Sequence, residues 1–130
     1  MKPQLRLATS VAVALAIGFG IGIAAGIATG QGGALDPLRA APHIFRLELE
    51  NASVRVLRVT ERNGETAPLH SHPDRLLVYL SPCAWMVRAE DGDYMESYKL
   101  GDVVWAERTT HGGETSRVVQ ECSRLDIELK

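Results

Sequence analysis

Gly64-Glu65-Thr66-Ala67-Pro68-Leu69-His70-Ser71-His72-Pro73-Asp74-Arg75-Leu76-Leu77-Val78-Tyr79-Leu80 holds two histidines one residue apart, shortly before an apolar run. In an extended segment, residues i and i+2 project from the same face, about 7 Å apart along the strand. His70 and His72 then offer two imidazoles to one point, each neutral ring with a nitrogen lone pair. Pro68 and Pro73 flank the pair and stiffen the backbone on either side of it. Asn63-Gly64 is a turn signal, and Leu76 to Leu80 is long enough for a buried strand.

The same grammar extends in both directions. Ile44 to Leu49 alternates apolar and polar after its first residue. Val54 to Val59 alternates with one slip at Leu57, where a bulge would restore the phase. Ala84 to Ala89 and Tyr94 to Lys99 flank the turn Asp91-Gly92. Leu100-Gly101-Asp102 turns into Val103-Val104-Trp105, and Arg117 to Cys122 and Leu125 to Leu129 follow. Many short strands between turn signals, with no helical stretch and no solenoid repeat, predict an all-β sandwich or barrel over 43–130.

His111 follows one of these strands, and in a barrel it can face the first pair across the interior. Three imidazoles on an inner wall leave coordination positions open for water or substrate. His70, His72 and His111 are therefore the candidate metal ligands. The expected cofactor is a divalent transition metal: iron, nickel, copper, zinc or manganese. The competing reading has His70 and His72 capping a strand end at the surface. His43 lacks such a partner and reads as a surface residue.

Upstream the composition changes. Val11 to Ala28 is 18 uncharged, overwhelmingly apolar residues behind Lys2 and Arg6. As a helix it would span about 27 Å, close to a bilayer core. Residues 1–30 are expected to be a transmembrane anchor or a cleaved signal peptide, with Gly26-Ile27-Ala28 or Ala28-Thr29-Gly30 as the cleavage site. Gly18, Gly22, Gly26 and Gly30 recur every fourth residue, the small-xxx-small spacing that lets helices approach closely. The positive charges precede the span, so the domain is expected outside the cytoplasm, periplasmic or at the cell surface. Gln31 to Pro42, with Gly32, Gly33, Pro37 and Pro42, reads as a flexible linker over 31–42.

The chain has 130 residues, room for one domain behind that leader. After the leader, 12 Lys and Arg stand against 16 Asp and Glu. A mildly acidic domain without a basic cluster is unsuited to nucleic acid, so none is expected as a partner. Cys83 and Cys122 fit no zinc motif. In an oxidising compartment they can pair; otherwise each is a small buried hydrophobe, and strand parity does not choose.

Residues 64–72 are similar to the start of the first motif of the cupin superfamily: a Gly, five residues, then His-x-His. Gly101-Asp102-Val103-Val104-Trp105 followed by His111 resembles the second motif. The likeness extends through Glu50-Asn51, Val54-Arg55-Val56-Leu57 and Ile127-Glu128-Leu129-Lys130, and covers residues 43–130. It implies a cupin-type double-stranded β-helix, a small jelly-roll barrel, behind the N-terminal membrane-spanning or signal helix. Departures are plain. The family's Glu, four or five positions past the second His, falls here on Leu76 or Leu77. The Gly that ends that motif falls on Cys83 or Ala84. Glu107-Arg108-Thr109 replaces the second motif's Pro-x-Gly, and the register of His111 is off by about one. Asp74, Glu107 and Glu114 are candidate substitutes for the missing carboxylate, and solvated charges are the plainer account of them.

Three functions follow as alternatives. The resemblance implies a metal-dependent enzyme, of dioxygenase or isomerase type, acting on a small organic molecule. Trp85, Trp105, Tyr79, Met86 and Leu76 are candidates for its pocket lining, although such residues on strands are more often core. A tethered, non-catalytic module that captures a metal or small ligand is the second. A structural barrel with a relict site is the third. Whether the chain is an enzyme is left open by the sequence. Expected partners are a small molecule, the membrane through the leader, and a second copy in a homodimer.

Overall fold

The computed structural model describes residues 33–130. The leader over 1–30, read as signal or anchor, lies outside them. Among the described residues no helix is long and apolar enough to cross a membrane.

The all-β expectation holds. The strands are β1 (Phe45–Glu50), β2 (Val54–Glu61), β3 (His70–His72), β4 (Arg75–Tyr79), β5 (Cys83–Val87), β6 (Tyr94–Tyr98), β7 (Val103–Ala106), β8 (Thr109–His111), β9 (Ser116–Gln120) and β10 (Cys122–Leu129). They form a five-stranded sheet in the order β1-β2-β10-β4-β7, a three-stranded sheet β6-β5-β9 and a pair β3-β8. Every pairing is antiparallel. The eight-residue β10 lies between β2 and β4 although it comes after all the others in the chain.

Two apolar clusters fill the interior. Ala41, Ile44, Phe45, Leu57 and Val59 make one, and Tyr79, Cys83, Trp85, Val118 and Cys122 make the other. Between strands of the large sheet the inward rows also carry charge. Cross-strand register sets Val59 beside Arg124 and Tyr79, then Leu57 beside Asp126 and Leu77, then Arg55 beside Glu128 and Arg75. All three arginines and both acids are buried.

This corrects the reading of β2. Its buried residues are Arg55, Leu57, Val59 and Glu61, in unbroken alternation. No slip occurs at Leu57. Arg55 faces inward because two buried carboxylates receive its guanidinium, and Val54 and Val56 are turned the other way. The irregularity lies in β1, between Leu47 and Leu49.

The flexible linker expected over 31–42 also gives way in its second half. Asp36 caps a one-turn helix, α1 (Pro37–Ala40), its side chain accepting from the Leu38 amide at 3.0 Å. Pro37 fills the first helical turn, where its missing N–H costs nothing. Ala41 is fully buried against the barrel, and the Leu35 carbonyl accepts from the Ser71 amide at 2.8 Å. The packed domain therefore begins several residues before His43.

Cys83 on β5 and Cys122 on β10 form a disulfide, with Cα atoms 4.6 Å apart. The open question of their pairing is thereby answered. The bond ties the three-stranded sheet to the five-stranded one, and both cysteines are buried.

Candidate metal centre

His70 and His72 occupy the two ends of β3 and are both buried, as their shared parity requires. They are not surface caps. His111 reaches them differently from the expectation. It does not sit across the interior; β8 is the hydrogen-bonded neighbour of β3, and His111 is the direct cross-strand partner of His70. One nitrogen from each ring lies within 4.8 Å of the others. Phe45 backs the group, 4.9 Å from the His70 ring and 5.6 Å from the His72 ring.

Gly112 makes this approach possible. Its φ is +112°, and a Cβ there would meet the Pro68 carbonyl oxygen at 2.4 Å. The Gly113 amide donates to Ala67 O at 2.7 Å. The backbone just before β3 is thus pressed against the backbone just after His111, which only a side-chain-free residue allows.

Hydrogen bonds fix the tautomers. His70 Nδ1 lies 2.6 Å from the Pro68 carbonyl, which can only accept, so Nδ1 carries the proton. His72 Nδ1 donates to Glu128 Oε1 at 2.7 Å. Both rings are left with the Nε2 lone pair free. Nε2 of His70, His72 and His111 is in each case buried and without a hydrogen-bond partner. Burial holds all three rings neutral: it pushes His72 down to about 2 and His111 down to about 3, and lowers His70 as well. Neutral, oriented imidazoles with convergent lone pairs are a donor set that suits a first-row divalent metal.

Glu128 is the residue that sequence reasoning missed. It takes Arg55 Nε on Oε2 at 2.6 Å and His72 on Oε1, with no solvent exposure. Arg55 Nη1 continues the chain to Asp36 Oδ2 at 2.5 Å. Burial pushes the Glu128 carboxyl up, against the pull of Arg55. A carboxylate on the far nitrogen of a ligating histidine fixes the ring and strengthens its basicity. The signal lay in β10, where Arg124, Asp126 and Glu128 alternate with Leu125, Ile127 and Leu129. By default such a strand turns its charges to water. Only the complementary Arg55 and Arg75 on its neighbours indicate the reverse.

The sequence candidates for a carboxylate fall elsewhere. Asp74 accepts from the Arg108 amide at 2.7 Å, and the Glu114 side chain is 95% exposed. Among the described residues the metal-capable cluster contains His70, His72 and His111 and none of Asp74, Glu107 or Glu114. His43 lies at the surface, 3.2 Å from Glu65.

A cavity of about 340 Å³ adjoins the histidines, bordered by His70, His111, Arg75, Arg124, Glu61 and a group of aromatic rings. Tyr79 stacks on Tyr98 with centroids 4.4 Å apart, and Trp85 packs edge-on to both. Burial pushes the Tyr98 phenol up to about 12 and raises Tyr79 too, so both remain protonated. Tyr98 donates to Glu96 Oε1 at 2.5 Å. Arg124 lies over the Trp85 ring at 5.4 Å and is bound by Glu61 and Asp126. Of the lining residues expected from sequence, Tyr79 and Trp85 are in the wall. Trp105 borders the cavity but is half exposed, and Leu76 and Met86 do not line it.

A solved cupin structure shares this fold. A cupin domain from Bordetella pertussis has a TM-score of 0.51 at 19% identity, covering 67% of this chain and 92% of that one. An RmlC-like cupin protein from Desulfovibrio desulfuricans is 26% identical, covering 72% and 91%, with a TM-score of 0.44. No family model and no curated protein matches the sequence. The barrel is a cupin jelly roll.

Proposed function

From a cupin barrel whose wall gathers three imidazoles, we propose that this chain holds a divalent transition metal through His70, His72 and His111. It presents that metal to a small organic molecule in the adjoining cavity. The carrying observation is the trio of buried, partnerless Nε2 atoms. A buried polar atom without a partner costs about 1–3 kcal/mol, and a shared ion offsets that cost at all three. Iron, nickel, copper, zinc and manganese are the candidate ions, with imidazole ligation favouring the first four. A bound ion supplies Lewis-acid chemistry. The chain's own residues orient His72 through Glu128 and enclose the ligand between aromatic walls.

One observation favours capture over turnover. The cavity carboxylates Glu61 and Glu96 are engaged, by Arg124 and by Tyr98, so neither is a free general base. An enzyme of dioxygenase or isomerase type would have to work from the metal side. An extracytoplasmic location, anchored or secreted, is supported by the apolar stretch 11–28 and by the Cys83–Cys122 bond.

Elemental analysis of the purified full chain tests the metal reading. About one equivalent of one of these metals is expected in wild type, and a marked loss in His70→Ala, His72→Ala or His111→Ala. Failure of wild type to take up any of the five sinks it. Oxygen uptake or substrate turnover that is lost in His70→Ala would establish an enzyme over a binder.

A further inference from the structure

Arg75 is a buried cation short of a partner. It points inward from β4, is 4% exposed and borders the cavity. The carboxylates nearest to it are already engaged. Glu128 gives one oxygen to Arg55 at 2.6 Å and the other to His72 at 2.7 Å. Asp126 gives Oδ1 to Arg124 at 2.8 Å. Its Oδ2 lies 3.7 Å from Arg75 Nε, beyond hydrogen-bond reach, and both atoms are buried without a partner. What remains is Nη1 near the Pro73 and Glu107 carbonyls, at 3.5 and 3.4 Å. Charge-assisted bonds run to about 2.7–2.9 Å. Arg55 and Arg124, in the same barrel, have such bonds. Arg75, a desolvated fork of five donors, has none.

The interior charges point the same way. Arg55, Arg75 and Arg124 are buried with Asp36, Glu61, Asp126 and Glu128. Three cations against four carboxylates leave a formal charge of −1, and a divalent ion on three neutral histidines would turn it to +1. A poorly solvated interior favours neutrality. A single negative charge brought in by a ligand would restore it.

We propose that Arg75 is the anion-recognition group of the site. The cavity takes a small molecule with one carboxylate and a flat apolar body. The carboxylate binds the Arg75 guanidinium and the body lies against Tyr79, Trp85 and Tyr98. At about 340 Å³ the cavity is at the small end of ligand sites, which run to about 300–1,000 Å³. The charge argument rests on the metal reading; the missing partner of Arg75 does not.

The test uses benzoate and its neutral isostere benzamide. The full chain is incubated with zinc, its zinc content is measured, and both probes are titrated calorimetrically into wild type, Arg75→Gln and Arg75→Lys. Benzoate is expected to bind wild type at least tenfold more tightly than benzamide. Arg75→Gln abolishes that preference and Arg75→Lys keeps part of it, with zinc content unchanged in both. Equal binding of the two probes, binding of neither at millimolar concentration, or a benzoate preference that survives in folded Arg75→Gln overturns the proposal. Where Arg75→Gln does not fold, the wild-type preference and its reduction in Arg75→Lys decide. If wild type takes up neither zinc nor any of the other four metals the metal reading fails instead, and the same titrations on the metal-free chain decide the role of Arg75.

Discussion

Glu128 joins a buried ion pair to a candidate ligand, so its two oxygens have separate tasks. Glu128→Gln keeps the shape but turns a donor toward Arg55 or His72, whichever way the amide is set. A loss of about 10–100-fold in metal affinity is expected, as for other partners of ligating histidines. Competition with a chelator measures it, and an unchanged affinity would remove the orienting role. The histidines make a pH prediction for the metal-free chain. His72 and His111 are held near 2 and 3, below the ordinary 6.5, so the folded state stays neutral where the unfolded chain takes up protons. Stability from this source is complete above pH 6.5 and is lost as the pH falls toward the folded values. Each such histidine contributes a slope of about 1.4 kcal/mol per pH unit. Glu128 acts oppositely, because its folded value lies above 4.5, so between pH 4.5 and 6.5 it offsets part of the slope that the two histidines set. Denaturant midpoints across that window should fall with pH; a flat profile would contradict the neutral, desolvated rings.

Strand β10 shows how far the sequence could be read. Its extended conformation was legible from alternation, as were β1, β2 and the turns at Gly64, Gly92 and Gly101. Which face points inward was not. Alternation gives a period and no sign, and here the large sheet buries Arg124, Asp126 and Glu128 while Leu125 and Ile127 are only partly covered. His70 and His72 were legible because parity alone puts them together. The direct pairing with His111 was not, because β8 is three residues long and adjacent in space rather than in sequence. The inversion leaves an apolar outer surface. Val103 is 62% and Trp105 51% exposed, beside their cross-strand partners Val78 and Leu76. A second copy of the chain is the expected cover, in keeping with a homodimer. Light scattering should give a dimer mass for wild type and a monomer for Trp105→Glu. A monomeric wild type would refute it.

At the scale of the whole molecule, the Cys83–Cys122 bond closes a loop of 39 residues between the two sheets. Loop-closure entropy sets its contribution at up to about 4 kcal/mol. Reductant should therefore lower the thermal midpoint markedly without abolishing strand content at low temperature. Alkylation of the chain as extracted from cells should find both thiols blocked. Free thiols would argue against the oxidising location. The membership of β10 in this design has one more consequence. A ribosome makes β10 after every other strand of the barrel, yet it is the strand on which β2 and β4 both pair. It also brings Cys122 for the cross-link and Glu128 for His72. A nascent chain short of residue 122 would hold β1-β2 and β4-β7 as two separate pairs with no strand between them, so the five-stranded sheet closes only once β10 has been made.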